Sequence, residues 1–151
     1  MSYISKIREK IGHKPIINVG ATLLVFNTNN ELLLNLRSET NTWGIPGGSK
    51  ELYETLEECA IRELKEETNL ETNNLELITI LSGKEYSFTY PNKDQVDCVI
   101  ALYKVLNYSG KIYINDEESK KLQFFSLDKL PELESRAKVI IEKIKNGTIK
   151  Y

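Results

Sequence analysis

The chain has 151 residues, a length that suits a single domain over residues 1–151 and excludes two domains of ordinary size. Hydrophobic residues make up 40% and charged residues 28%, which excludes the disordered and fibrous classes. The net charge of −2 argues against a general nucleic-acid binder, which needs a large positive excess. A protein with this charge balance that handles an anionic substrate needs a local source of positive charge, which a bound metal ion can supply.

The first predicted element is a short helix over residues 2–11, where isoleucines recur at helical spacing. Residues 16–26 are apolar and rich in β-branched side chains, which predicts a buried strand. A polar turn follows at residues 27–30, and residues 31–37 predict a strand that returns beside the first as a hairpin. Residues 38–50 contain a proline and three glycines and predict a long ordered loop. Loops of this length inside a compact domain usually have a function.

A second helix is predicted over residues 54–68, which contain no glycine or proline and are rich in good helix formers. Strands are predicted within residues 75–90 and 96–106, and the second is apolar enough to lie at the centre of a sheet. A short strand at residues 122–125 and an amphipathic helix at residues 133–144 follow. Strands and helices mixed in this order predict an α/β fold with a sheet between helices.

Two cysteines, Cys59 and Cys98, are far apart in the chain and have no CxxC spacing. The pattern predicts two buried thiols in a reducing compartment rather than a zinc site or a redox pair. The N-terminal residues lack the apolar run of a signal peptide, and no stretch approaches the roughly 20 apolar residues of a membrane span. The expected location is therefore the cytoplasm, with no membrane partner.

Three glutamates of the second predicted helix, Glu63, Glu66 and Glu67, share one face, because successive helical residues are about 100° apart. Their mutual repulsion costs about 0.2–0.5 kcal/mol for each pair, and the helix dipole also disfavours anions near the C-terminal end. A divalent cation would reverse this balance, and Mg²⁺ prefers carboxylate oxygens. A solvated acidic face is the alternative, because surface helices commonly carry several glutamates.

The glycine-rich loop and this helix together resemble a known signature. From Gly48 to Leu70 the chain reads GSKELYETLEECAIRELKEETNL, which resembles the Nudix box of the MutT-like Nudix hydrolases. The matching positions are Gly48, Glu54, Arg62, Glu63, Leu64, Glu66, Glu67 and Leu70. Asn69 departs from the pattern, because the family has glycine there. The position looks like a left-handed helix cap, which asparagine tolerates best after glycine.

The resemblance implies an α/β/α sandwich with a mixed central sheet. It also implies Mg²⁺-dependent hydrolysis of the pyrophosphate bond in a nucleoside-diphosphate-linked substrate, with Mn²⁺ as a possible substitute. A dinucleoside polyphosphate or a nucleoside triphosphate is the expected substrate, and this small-molecule nucleotide is the expected partner. A catalytically silent Nudix domain that binds a nucleotide as a sensor is the alternative. A homodimer is left open.

The implied metal ligands are Glu63 and Glu67, with Glu66 bound directly or through water and the Gly48 backbone carbonyl completing the set. Glu54 and Arg62 are implied to orient these ligands through an ion pair. That role has a physical reason, since an arginine can fix the rotamer of a carboxylate and offset crowded negative charge.

A general base is also needed, and both the box glutamates and the acidic run at residues 116–118 are candidates. Glu118 is the first choice in that run, because family members often carry a Glu-Ser pair here; a solvated acidic turn is the alternative.

Arg37 is a candidate phosphate contact, with an ordinary surface position as the alternative. Tyr86 follows Asn69 by 17 residues, where diadenosine polyphosphate hydrolases tend to have a tyrosine, but strand packing explains it as well.

Overall fold

The computed structural model describes residues 1–151 and has three α-helices, one short 3-10 helix at Lys84–Tyr86 and eight strands. The helices are α1 (Tyr3–Ile11), α2 (Leu56–Thr68) and α3 (Ser135–Lys145). The strands are β1 (Ile16–Leu24), β2 (Leu32–Arg37), β3 (Trp43–Gly44), β4 (Gly47–Ser49), β5 (Leu75–Leu81), β6 (Ser87–Thr89), β7 (Gln95–Val105) and β8 (Ser119–Phe125). None of the helices combines the length and the apolar composition that a bilayer crossing requires.

The strands form two sheets. The larger sheet has the order β4-β1-β7-β5, with β6 paired to another part of β7. It is mixed, because β1 and β7 run parallel while the other pairs are antiparallel. The smaller sheet is antiparallel, with the order β3-β2-β8. The predicted α/β fold with a mixed sheet is therefore confirmed, and the apolar strand β7 lies at its centre, paired with three others.

The predicted hairpin between the first two strands is present only at its turn, where the Asn27 N–H donates to the Glu31 carbonyl and the Leu33 N–H to the Val25 carbonyl. β1 lies in the larger sheet and β2 in the smaller one, and only a short bridge joins Phe26 to Leu32. The long apolar strand β7 instead pairs with β1 from Ile16 to Leu24. Burial of two apolar strands against each other outweighs the local turn chemistry, which specifies a chain reversal but not the partner.

The two faces of the sheets carry separate parts of the core. On one face, α2 packs on a cluster that includes Leu23, Leu64 and Tyr103. On the other face, α3 packs on a cluster that includes Leu102 and Ile140. Both cysteines are buried and free, as predicted. The predicted loop at 38–50 contains β3 and β4, one in each sheet, and so connects the two sheets.

Helix α2 has a defined beginning and end. The Thr55 hydroxyl accepts a hydrogen bond from the Glu58 N–H at 3.0 Å, and the Glu58 carboxylate accepts one from the Thr55 N–H at 2.8 Å, which together form a capping box. The helix ends at Asn69, whose φ of 67° and ψ of 3° are left-handed. The left-handed cap expected at Asn69 is therefore confirmed.

Two substitutions at Asn69 should separate the contributions of backbone strain and of side-chain hydrogen bonds to the free energy of unfolding. We predict that Asn69→Ala lowers the free energy of unfolding by about 1–2 kcal/mol, because alanine is strained in the left-handed region and loses the bond from the Asn69 amide to the Lys111 carbonyl. Asn69→Gly should be nearly neutral, since relief of strain offsets loss of that bond. Urea unfolding checks both values, and an alanine variant as stable as the wild type would contradict the cap.

Candidate active site

A cavity of about 850 Å³ lies beside β1, β4 and α2, and its size is typical of small-molecule sites. We distinguish two parts of its lining. The acidic part consists of Glu63, Glu66, Asp116 and Glu118, and the aromatic part consists of Asn18, Phe88, Tyr90, Cys98, Arg136 and Ile140. Helix α2 and the loop before β8 supply the acidic part, whereas strands of the larger sheet and α3 supply most of the aromatic part.

Arg62 holds three of the glutamates in and around the acidic part. Its Nε and Nη2 donate to the two Glu54 oxygens at 2.5 and 3.0 Å, and its Nη1 donates to Glu63 at 2.8 Å and to Glu66 at 3.2 Å. Another bond, from Nη2 to the Ser49 carbonyl at 3.0 Å, attaches the same guanidinium to β4. The hydrogen bond from Arg62 lowers the pKa of Glu54. The implied ion pair between Glu54 and Arg62 is thus present.

Glu63 lies directly against the backbone of Gly48. A Cβ atom at position 48 would be 2.3 Å from the carboxyl carbon of Glu63, a distance that real Cβ contacts do not show. Glycine is therefore needed for the carboxylate to occupy this place. Burial raises the pKa of Glu63, although the hydrogen bond from Arg62 acts in the opposite direction. The Gly48 backbone and the Glu63 carboxylate are therefore adjacent.

Glu67 is the most buried of the three box glutamates, with a side chain that is 2% exposed. Its two oxygens accept hydrogen bonds from Arg37 Nη1 at 3.1 Å and from the Gly47 N–H at 2.9 Å. Burial nevertheless raises the pKa of Glu67 to about 7. A solvated acidic face therefore does not describe Glu67, and a further positive charge beside it would favour its ionised form.

Arg37 lines the cavity. It therefore does not have the ordinary surface position that was the alternative to a phosphate contact. Its side chain is 22% exposed, and its Nη2 donates to the Ile45 carbonyl at 3.2 Å. Burial acts to lower the pKa of Arg37, but the carboxylates of Glu67 and Glu134 outweigh it and raise the pKa above its ordinary value. Arg37 is therefore a permanent positive charge on the cavity wall.

The acidic run before β8 meets helix α2 at Glu67. Carboxylate oxygens of Glu67, Asp116 and Glu118 all lie within 4.8 Å of one another. Asp116 Oδ1 also accepts hydrogen bonds from the backbone N–H groups of Glu118 and Ser119, at 3.1 and 3.3 Å, which stabilise the turn that carries Glu118. This close cluster contains one box glutamate, whereas the other two, Glu63 and Glu66, bind Arg62.

The donor set of the acidic part fits a divalent cation. Seven carboxylates and only three arginines line the whole cavity, so a phosphate chain would be repelled without added positive charge. The carboxylates are Glu39, Glu51, Glu63, Glu66, Asp116, Glu118 and Glu134, and the arginines are Arg37, Arg62 and Arg136. Carboxylate oxygens are the ligands that Mg²⁺ prefers. Glu66 is 54% exposed and Arg62 engages only one of its oxygens, which leaves the other oxygen available to a cation directly or through water.

Comparison with known proteins identifies the family of this chain. Residues 17–144 match the family model of the NUDIX domain. This chain belongs to the NUDIX family. An ADP-ribose pyrophosphatase of Methanocaldococcus jannaschii is 30% identical to it over 112 residues, which are 72% of this NUDIX domain and 62% of the archaeal protein. An m7GpppN-mRNA hydrolase of Danio rerio is 40% identical over 72 residues, 44% of this chain and 24% of the fish protein. The chain thus spans less than two thirds of either relative.

Solved structures show the same fold. The MutT NUDIX hydrolase of Burkholderia pseudomallei superposes with a TM-score of 0.70 at 24% identity, over 87% of this chain and 98% of that one. The NUDIX domain of Shewanella oneidensis NrtR, solved with ADP-ribose, superposes with a TM-score of 0.68 at 19% identity, over 98% of this chain and 99% of that one. At these identities the likeness establishes the fold.

The position of Tyr86 in this NUDIX domain corrects the prediction of a substrate contact. Tyr86 is 1% exposed, lies in the core cluster beneath α3 and does not line the cavity. Its hydroxyl accepts a hydrogen bond from Lys143 Nζ at 3.0 Å. A buried phenol needs such a partner for its hydroxyl, and packing therefore accounts for this tyrosine.

Sequence reasoning did not find the aromatic part of the cavity. Phe88 and Tyr90 lie within the segment predicted to contain a strand at residues 75–90, Arg136 lies within the helix predicted at residues 133–144, and the sequence around them carries no further signal. Asn18 was the clearest available sign, because it is an amide side chain within a largely apolar strand. A polar residue that faces a buried layer needs a partner, which is a reason to examine it.

Proposed function

We propose that this NUDIX domain hydrolyses the pyrophosphate bond of a nucleoside-diphosphate-linked substrate with Mg²⁺, or Mn²⁺ in its place. The observation that carries the proposal is the cluster of Glu67, Asp116 and Glu118, whose oxygens lie within 4.8 Å of one another beside a cavity of about 850 Å³. The archaeal relative, which matches 72% of this chain, is named an ADP-ribose pyrophosphatase, and this supports the reaction class. Dinucleoside polyphosphates and nucleoside triphosphates are the first substrates to test.

The residues proposed to hold the ion are Glu63, Glu66, Glu67 and the backbone carbonyl of Gly48. When bound, the ion would neutralise charge on the phosphate chain and lower the pKa of a water molecule. Arg62 supports this set, because one guanidinium holds Glu63 and Glu66 against repulsion and cannot lose its proton at neutral pH.

Glu118 is the proposed general base. It is exposed within the acidic part of the cavity, and its side chain has no hydrogen-bond partner, whereas Asp116 uses one oxygen to hold the turn. Glu118 would take the proton of the attacking water as the water oxygen bonds to one phosphorus and the bridging P–O bond breaks. The phosphate-bearing leaving group departs, and the exposed Glu118 returns its proton to solvent.

The test is hydrolysis of a panel that contains ADP-ribose, dinucleoside polyphosphates, nucleotide sugars and nucleoside triphosphates, each with Mg²⁺ and with Mn²⁺. We expect turnover of at least one substrate, loss of that turnover with EDTA, and incorporation of ¹⁸O from labelled water into one phosphate product. Tight nucleotide binding without hydrolysis of any substrate would instead favour the catalytically silent sensor.

Mg²⁺ should also stabilise the folded protein, because it relieves repulsion among the clustered carboxylates. At a Mg²⁺ concentration about 100 times Kd, the expected gain is about 2.7 kcal/mol, or about 5–10 °C in Tm for a chain of this size. Thermal unfolding in EDTA, in Mg²⁺ and in NaCl of equal ionic strength measures the gain. The shift should disappear in Glu63→Gln, and a wild-type protein with equal Tm in all three solutions would exclude the cation site.

A further inference from the structure

Two buried polar atoms in the aromatic part of the cavity have no hydrogen-bond partner. They are Oδ1 of Asn18 and Nε of Arg136, and both residues line the cavity. Buried polar groups in folded proteins are nearly always paired, because an unpaired one has lost its water without replacement. Two such atoms in one cavity are therefore placed to bind a ligand that supplies the missing partners.

The two side chains both lie next to Cys98, at one face of the larger sheet. Asn18 of β1 and Cys98 of β7 are directly opposite each other in the parallel pair, so their side chains lie on the same face. Arg136 Nη1 contacts Cys98 Sγ at 3.4 Å. Cys98 thus has a residue with a free acceptor, Asn18 Oδ1, on one side. On the other side it has a residue with a free donor, Arg136 Nε–H.

The guanidinium of Arg136 is held in place by its other contacts. Its Cζ lies 4.9 Å from the ring centroid of Phe88 and 5.7 Å from that of Tyr90. Nη2 lies 3.3 Å from a Glu134 oxygen and 3.5 Å from the Tyr90 hydroxyl. Both terminal nitrogens are therefore engaged, and Nε is the nitrogen left for a ligand. Because the arginine is already fixed, it loses little conformational freedom when a ligand binds.

The surroundings of this pair suit a flat ring. Gly20 lies two residues after Asn18 on the same face of β1 and presents no side chain to the cavity. Ile100, Ala137 and Ile140 supply apolar surface, and Phe88 and Tyr90 supply aromatic surface. Apolar walls with a few fixed polar groups are the usual setting for specific recognition of an aromatic ligand.

We propose that Asn18 and Arg136 bind the edge of the substrate's nucleobase and so determine its specificity. Arg136 Nε–H donates to a ring nitrogen or carbonyl oxygen of the base, and Asn18 Oδ1 accepts from an amino group or a ring N–H. Nucleobases present acceptors and donors of this kind side by side on one edge. The proposal rests on the proposed function, because it takes the ligand to be a nucleotide whose phosphate chain lies in the acidic part of the same cavity.

The test compares two ligands that resist hydrolysis, both in the presence of Mg²⁺. One is α,β-methylene-ADP, and the other is methylenediphosphonate, which has a similar phosphate chain and no nucleoside. Isothermal titration calorimetry should show that Asn18→Ala and Arg136→Lys each weaken binding of the nucleotide at least tenfold, while binding of the base-free probe changes by less than twofold. The guanosine, uridine and cytidine analogues then rank the bases.

Arg8→Lys is the matched control. Arg8 also donates to backbone carbonyls, at Lys14 and Gln95, but it does not line the cavity, so both probes should bind this variant as they bind the wild type. Circular dichroism melts establish that each variant is folded. If Arg136→Lys does not fold, Asn18→Ala decides the question, because Asn18 is only partly buried and its side chain makes no hydrogen bond.

Three results would overturn base recognition. The substitutions could weaken binding of both probes equally, they could leave nucleotide binding unchanged, or the wild-type protein could bind none of the four nucleotide analogues more tightly than the base-free probe. Failure of the proposed hydrolysis is a separate result, since neither probe is a substrate. If the protein binds the nucleotide through Asn18 and Arg136 but hydrolyses no substrate, base recognition is supported and the proposed hydrolysis is refuted.

Discussion

Glu67→Gln is expected to lower the turnover number on the order of 100-fold, by removing a charged ligand from the proposed metal site. Glutamine keeps the shape of the side chain but carries no charge. Both oxygens of Glu67 accept hydrogen bonds, one from Arg37 and one from the Gly47 N–H. The amide nitrogen of glutamine would face one of these donors, so the side chain would also lose its position.

The same substitution should destabilise the fold by about 1–2 kcal/mol, because one of the two hydrogen-bond donors at Glu67 is left without an acceptor. Loss of the charge itself should cost little, because burial raises the pKa of Glu67 to about 7 and so already disfavours its ionised form. Urea unfolding and steady-state kinetics, both at a temperature where the variant is fully folded, separate the two effects. The control is Glu71→Gln, which removes an exposed partner of Lys65 and should leave turnover and stability unchanged. If Glu67→Gln turns over substrate as fast as the wild type, Glu67 is not a metal ligand in the reaction.

Gly48→Ala should reduce kcat/KM on the order of 100-fold while the protein remains folded. The added Cβ would lie 2.3 Å from the carboxyl carbon of Glu63, which has to move. The obstacle is the end of a flexible side chain, so Glu63 can rotate away at a cost to stability of about 1 kcal/mol or less. The displaced carboxylate would then lie away from Gly48, the other proposed ligand.

Gly20→Ala is the control for Gly48→Ala, because it adds the same methyl group against a backbone atom instead of a side chain. A Cβ there would lie 2.3 Å from the Gly48 carbonyl oxygen, a backbone atom that cannot rotate away. Because Gly20 and Gly48 belong to the paired strands β1 and β4, the expected effect is a loss of stability of about 1–3 kcal/mol. Urea unfolding and kinetics on both variants check this contrast. Full activity in Gly48→Ala would mean that the position of Glu63 does not matter for the reaction.

The helix that carries the box glutamates was predicted well from the sequence, because its signals are local. The predicted start at Glu54 was two residues early, since Thr55 is the capping residue and Glu54 instead accepts a hydrogen bond from the Glu51 N–H. The end at Thr68 and the left-handed cap at Asn69 were both correct. Caps, helix propensity and the 3.6-residue period involve neighbours within a few positions, and the sequence displays all of them.

Strand pairing was predicted less well. The pattern of residues 16–37 indicates two strands and a turn, but the structure pairs β1 with β7, about eighty positions further along the chain. The β-propensity of a segment indicates that it is extended, and the alternation of its residues indicates which face is apolar. They do not indicate which other strand it meets, because that depends on how all the apolar faces can be buried together.

The sequence by itself determined that Glu63, Glu66 and Glu67 lie on one helix, near a glycine loop, in a NUDIX box. Only the tertiary structure decided that Asp116 and Glu118 reach Glu67, that Arg37 pairs with Glu67, and that Asn18 and Arg136 both lie next to Cys98. The physical reason is the range of the interactions. Spacing along a helix follows from backbone geometry within a few residues, whereas contacts between distant segments depend on packing of the whole core.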